Sequence, residues 1–119
     1  SCVELFAAGA DGVVHQRVFT PPVGAGPGRA VRIRNGQPTP DPVARAVTAR
    51  CRGGYTLTVQ VPLVELCGDQ AGAGLCLDLA VQAATGRDRR LVRQTWSGFP
   101  HAYRESTHYV PTVAVRRRA

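Results

Sequence analysis

Between Gly53 and Leu66 the chain reads Gly-Gly-Tyr-Thr-Leu-Thr-Val-Gln-Val-Pro-Leu-Val-Glu-Leu. Tyr55, Leu57, Val59 and Val61 alternate with Thr56, Thr58 and Gln60, a period of two that puts the first group on one face of a strand and the second on the other. Pro62 has no N–H for a ladder and ends that strand, and Leu63 to Leu66 suit one short helical turn. Leu75, Leu77, Leu79 and Val81 alternate equally regularly with Cys76, Asp78, Ala80 and Gln82, which predicts a strand with its leucines turned to the core. Val3-Glu4-Leu5-Phe6 and Val13 to Thr20, joined by Ala10-Asp11-Gly12, predict a hairpin. Val43 to Cys51 predicts a strand that turns at Gly53-Gly54 into the next. Arg89 to Trp96 predicts another, after a turn at Thr85-Gly86-Arg87-Asp88, and Val110 to Val115 a closing one.

Residues 21–42 are dominated by Pro, Gly and small side chains and read as a long loop, with Arg29 to Arg34 as a short edge strand. That segment carries no aromatic residue, which favours mobile cover over a recognition loop. Ser97 to Tyr109 reads as an irregular polar and aromatic loop, and Arg116 to Arg118 as a solvated tail. Neither an internal repeat nor a helix longer than about two turns is visible. Short strands, turn signals between them and almost no helix predict one all-β domain over residues 1–119. Its expected form is an antiparallel β-sandwich, jelly-roll-like, with a barrel as the alternative.

Composition narrows the function classes only a little. A chain of 119 residues with a hydrophobic fraction of 44% can bury a core without staples. No apolar run approaches the roughly 20 residues that cross a bilayer as a helix. No charged segment leads into an apolar one at the N-terminus, and the start at Ser1 reads as a mature or excised fragment. The compartment stays open, with a secreted or periplasmic setting favoured. The net charge is +7, and all 15 basic residues are arginine. Such a charge favours polyanions in general, although coding bias also explains all-arginine usage. Cys2, Cys51, Cys67 and Cys76 allow two disulfides in three connectivities or four free thiols. No Cys-x-x-Cys is present to make a zinc ribbon or a redox centre.

The order of these signals resembles the sugar-binding DOMON-like superfamily, which includes the family-nine carbohydrate-binding modules. Ser1-Cys2-Val3-Glu4-Leu5-Phe6 stands where such domains carry an Asp-x-Val-Glu-Leu-Phe strand, and His15-Gln16 falls in the strand after it. Gly53-Gly54-Tyr55 through Val61-Pro62-Leu63-Val64-Glu65-Leu66 is similar to their Gly-Tyr … Ile-Pro-(Trp)-x-x-Leu block. Gly74-Leu75-Cys76-Leu77-Asp78 resembles their Gly-x-Asp strand, Trp96-Ser97-Gly98 their tryptophan after the next strand, and Pro111-Thr112 the start of their last. The resemblance implies a β-sandwich that binds a saccharide without catalysis. It also implies strands upstream of Val3-Glu4-Leu5-Phe6, so an exposed edge is expected at Cys2 to Phe6, paired with another copy or another chain. Haem-binding relatives use Met and His as axial ligands, and this chain has no Met. No cofactor is expected.

Candidate chemistry concentrates in the loop after Trp96. Sugars stack an apolar face of C–H groups on an aromatic ring and fix their hydroxyls with directed hydrogen bonds. Trp96 is the expected platform, with His101, Tyr103 and Arg104 as further ligand contacts. For Trp96 the competing role is packing across the sandwich, and for the loop it is covering one end of the fold. Arg87, Arg89, Arg90 and Arg93 form the alternative site, a basic strand for nucleic acid or acidic glycan, or else a solvated edge. A protein partner is the other occupant of such a basic module. His15, His101 and His108 make a metal site only if the fold gathers them, and their spacing does not require it. Glu4, Glu65 and Asp78 are isolated carboxylates, and no motif pairs them as a glycosidase requires. Nucleophile-elbow and Walker sequences are absent, and Gly24-Ala25-Gly26-Pro27-Gly28 precedes no helix that would cradle a phosphate.

Overall fold

The computed structural model describes residues 2–22, 28–68, 74–85, 90–99 and 102–112, with the backbone alone at 84, 85 and 90–92. The elements in chain order are β1 (Cys2–Ala8), β2 (His15–Thr20), β3 (Arg29–Arg34), β4 (Gln37–Pro40), β5 (Arg45–Cys51), β6 (Gly54–Gln60), α1 (Leu63–Leu66), β7 (Cys76–Thr85), β8 (Arg90–Thr95) and β9 (Val110–Pro111). The protein is all-β and antiparallel, and among the described residues its α-helix is the one turn after Pro62. Seven strands form one sheet in the order β4-β3-β2-β1-β7-β8, with β9 also on β7, while β5 and β6 form a separate two-stranded sheet. The expected closing strand is Val110–Pro111, and residues 113–119 lie outside the described residues.

The register assigns each side chain a face. β1 pairs Leu5 with Arg17 of β2 and with Leu79 of β7, and it pairs Phe6 with Gln16 and Asp78. Side chains directly opposite share a face. One face of the large sheet therefore carries Val3, Leu5, Arg17, Phe19, Leu77, Leu79 and Val81. The other carries Glu4, Phe6, Asp78 and Ala80. The β5–β6 hairpin stands over the first face and segment 102–109 over the second. Phe6, Ala8, Ala80, Ala102 and Tyr109 make the core on that second side, with Val14 and Cys76 packed against it.

Three expectations are corrected here. The first concerns the leucine run into β7: Leu75 is buried as expected, but within β7 the leucine-bearing face is the less buried one. Asp78 and Ala80 are fully buried, whereas Leu79 and Val81 keep 40% and 47% of their surface exposed. Small Ala80 lies in the core with Phe6 and Ala102, and Asp78 is buried because its carboxylate is fully engaged. The second concerns residues 21–42, which hold a β-hairpin where a loop was expected. Asn35 and Gly36 both have positive φ, 50° and 75°, between Arg34 and its partner Gln37. Such a two-residue turn matches the right-handed twist of its strands, and Asn-Gly suits it best. β4, not β3, is then the outermost strand, and its four exposed residues include Pro38 and Pro40. The third concerns β1, which is interior. β2 takes one of its edges through a short local hairpin and β7 the other, so Cys2 to Phe6 offers no open edge to a second chain.

Candidate functional site

An ion cluster with a buried Arg17–Asp41 centre and Glu65 at its exposed rim sets the hairpin over the large sheet. Arg17 comes from β2, Arg32 lies opposite it on β3, Asp41 lies just beyond β4 and Glu65 is in α1. The Arg17 Nε donates to Asp41 Oδ2 at 2.8 Å, and its Nη2 donates to the Glu65 carbonyl at 2.6 Å. Arg32 Nη2 reaches Glu65 Oε2 at 2.6 Å, and its Nε lies 3.5 Å from Asp41 Oδ1. Asp41 Oδ1 also accepts the N–H groups of Val43 and Ala44 at 3.0 and 3.1 Å, fixing the turn that opens β5. Burial works to raise the Asp41 carboxyl. The two backbone N–H groups and the Arg17 guanidinium outweigh it and hold the carboxyl below the usual carboxylate range. The entry to the hairpin and the turn that follows it are thereby pinned to two neighbouring strands.

Above this pin the hairpin and the sheet do not close on each other. Tyr55, Leu57, Val59 and Val61 point inward as their alternation predicts, yet a cleft of about 710 Å³ separates them from Val3, Leu5, Leu77, Leu79 and Val81. Its walls are almost wholly apolar side chains. Trp96 lies beyond it on the same face, in register with Leu79, whose carbonyl accepts the Trp96 N–H at 2.8 Å. The indole is 59% exposed. Together with Leu79, Val81, Gln94 and Thr95 it borders an open hollow of about 520 Å³.

The opposite face carries a different chemistry. Asp78 Oδ2 accepts the Ser97 hydroxyl at 2.6 Å, and Oδ1 accepts the N–H groups of Ser97 and Leu79 at 3.0 and 2.9 Å. The Ser97 hydroxyl in turn accepts the Phe99 N–H at 3.1 Å. This carboxylate therefore holds the bend after Trp96. Further along the loop the Tyr109 phenol donates to the Ala102 carbonyl, and burial, then the charge of Asp78, raises that phenol far above its ordinary value. Ser106 ties the loop to the β1–β2 turn by donating to the Gly12 carbonyl at 2.9 Å. Glu4 accepts from Arg93 at 3.0 Å and from Gln16 at 3.3 Å. The Tyr103 ring lies near two guanidinium groups, Arg93 at 5.8 Å and Arg104 at 5.3 Å.

The structure therefore divides the expected saccharide site. Trp96 is exposed on the cleft face, while Tyr103 packs with Arg104 and Arg93 on the other face. His101 lies outside the described residues. Of the alternative basic cluster, Arg87 and Arg89 lie outside the described residues, only the backbone of Arg90 is described, and Arg93 is ion-paired to Glu4. His108 stacks on Phe99 at 4.2 Å between ring centroids, and burial, with Arg17, Arg34 and Arg32, holds His15 below its ordinary value against the pull of Asp11. Among the described residues no three His, Cys, Asp or Glu side chains gather as a metal site would need. The four thiols are free, with Cys67 buried and Cys51 exposed. Glu4, Glu65 and Asp78 are each held by separate structural partners. No helix among the described residues is long and apolar enough to cross a membrane.

Reading the sequence alone misses the Arg17–Arg32–Asp41–Glu65 cluster. Its one local signal is Asp41-Pro42, since an Asp before Pro favours turn initiation through its own side chain. The Asp78–Ser97 bond gives no local signal, because 19 residues separate its partners. Comparison with protein-family models, with curated proteins and with solved structures found no match.

Proposed function

We propose that this chain is a non-catalytic binding module that takes a saccharide on the Trp96 side of its large sheet. The observation that carries this reading is the exposed indole, seated beside Leu79 and Val81 with the Gln94 amide in the same hollow. A flat aromatic surface flanked by hydrogen-bonding side chains is what a pyranose ring needs. The resemblance to carbohydrate-binding DOMON-like domains points the same way. The site is smaller than the one expected from the sequence. Tyr103 and Arg104 face away from Trp96 and do not join it.

Trp96 is the only tryptophan in the chain, so its fluorescence reports this surface alone. Titration with soluble oligosaccharides should shift the emission, and Trp96→Ala should abolish binding while leaving the thermal midpoint nearly unchanged. Tyr103→Ala and Arg104→Ala should leave sugar affinity as it is. A broad glycan array with no signal above background would refute the reading. The polyanion alternative has less support, because the only side chain described from its basic cluster, that of Arg93, is paired with Glu4.

A further inference from the structure

The small sheet stops too early for the large one beneath it. β5 lies nearest β3, and β6 faces β1 and β7 across the cleft. The large sheet continues beyond β6 to β8, and its side chains there are the exposed Leu79, Val81 and Trp96. Among the described residues β6 pairs only with β5, and none of them takes up its other edge. The hairpin turns in two residues, Arg52 and Gly53, with Gly53 at φ 82°. Such a loop is closed by a hydrogen-bonded pair, here Cys51 with Gly54, and bonded pairs then recur at every second residue. The N–H and C=O groups of Tyr55, Leu57 and Val59 consequently point away from β5.

We infer that this edge of β6 accepts an extended strand from a partner polypeptide, with apolar residues at alternate positions and acidic residues at its ends. The backbone of Tyr55, Leu57 and Val59 supplies the ladder. Adjacent strands lie about 4.8 Å apart and stacked sheets about 10 Å apart, so the added strand sits over β7 and drops alternate side chains onto Leu77, Leu79 and Val81. The acidic ends answer the charge of the hairpin, whose segment from Arg45 to Gln60 holds Arg45, Arg50 and Arg52 and no acidic residue. A second copy of this chain does not fit. Pairing β6 to β6 about a two-fold axis keeps the faces of both sheets aligned, which drives the partner's large sheet into the layer that β7 and β8 already fill. Leu79 and Val81 border both the cleft and the Trp96 hollow, so the docked strand and a saccharide are told apart by protection of the β6 amides, which only the strand gives.

The test is amide hydrogen exchange by NMR on the 119-residue chain, with a capped peptide Glu-Val-Thr-Val-Thr-Val-Glu as probe. In the free protein the amides of Leu57 and Val59 should exchange much faster than those of Thr56 and Thr58. The peptide at saturating concentration should slow Leu57 and Val59 by about tenfold or more, as expected for newly bonded edge amides. A peptide of the same composition with its three valines contiguous should have little effect. Leu79→Glu, at a half-exposed site, should weaken the alternating peptide about tenfold while the Thr56 and Thr58 amides of the free variant stay slow. The inference is overturned if neither peptide protects Leu57 and Val59, if both protect them equally, or if Leu79→Glu leaves affinity unchanged. Oligosaccharide binding perturbs Trp96 without protecting β6, so each reading fails on its own signal.

Discussion

The two faces of the seven-stranded sheet are built on opposite plans. One is sealed by a loop that sets Ala102 and Tyr109 into the core and is tied down through Ser97, Ser106 and Tyr109. The other is covered by a hairpin of well-alternating Tyr, Leu and Val that is pinned at its base and gapes above it. Phe6 is wholly inaccessible on the first, while Leu79 and Val81 on the second remain about half exposed. The lesson is that hydropathy sets which residues share a face and does not set which face is closed. Closure follows from what lies above, and above Asp78 lies a chain segment tied down through Ser97 and Tyr109.

Deleting a large side chain from the sealed core should produce the largest effect. Phe6→Ala is expected to cost about 3–5 kcal/mol, the usual range for an aromatic side chain deleted from a closed core. Denaturant midpoints at constant slope would check this. Removing Asp41 as Asp41→Ala should cost about 3 kcal/mol, because it leaves the guanidinium of Arg17 buried without its counter-ion. Asp78→Ala should cost about 2 kcal/mol through the Ser97 and Leu79 donors it strands. Leu79→Ala should cost less than about 1 kcal/mol, since little transfer out of water is reversed at a half-exposed site. If Leu79→Ala and Phe6→Ala cost the same, the contrast between the faces is wrong.

Acid sharpens the same comparison from the cleft side. The Asp41 carboxyl titrates lower in the folded protein than in the unfolded chain, so the unfolded chain binds more protons in the window between the two values. Stability from this group is full above the unfolded value and is lost as pH falls through the folded one. His15 is likewise lowered on folding, so a smaller loss should begin earlier, as pH drops below the ordinary imidazole value. Asp41→Asn should remove the carboxylate step from a plot of stability against pH, and His15→Gln the imidazole step.

Much of the architecture was legible because period-two alternation is local. β6 ends at Gln60, just short of Pro62, and α1 follows at Leu63–Leu66, as the run into that proline implies. The β1–β2 hairpin and the strands β7 and β8 fall where their turn residues put them. What was not legible depended on distant partners. No local property of Cys2 to Phe6 tells whether β7 will return to cover its second edge. Nor does the Leu-rich pattern of β7 reveal that Asp78 finds Ser97 and thereby makes the opposite face the buried one. The β3–β4 hairpin is a different case, because Asn35-Gly36 carries a local signal that the surrounding prolines and glycines obscure. At the candidate site the exposure of Trp96 was undecidable from sequence, since core packing and ligand stacking both call for the same residue.

β4 gives the large sheet a stop. Its two prolines lack the amide hydrogen that each further layer of a growing cross-β array would need, and the strand is only four residues long. Fibril growth outward from that side is blocked by covalent structure and does not depend on charge, so raised salt, which screens the arginines, should not release it. The large sheet is in this respect self-terminating at one border, and concentrated solutions of the protein should clump, if at all, by some other route.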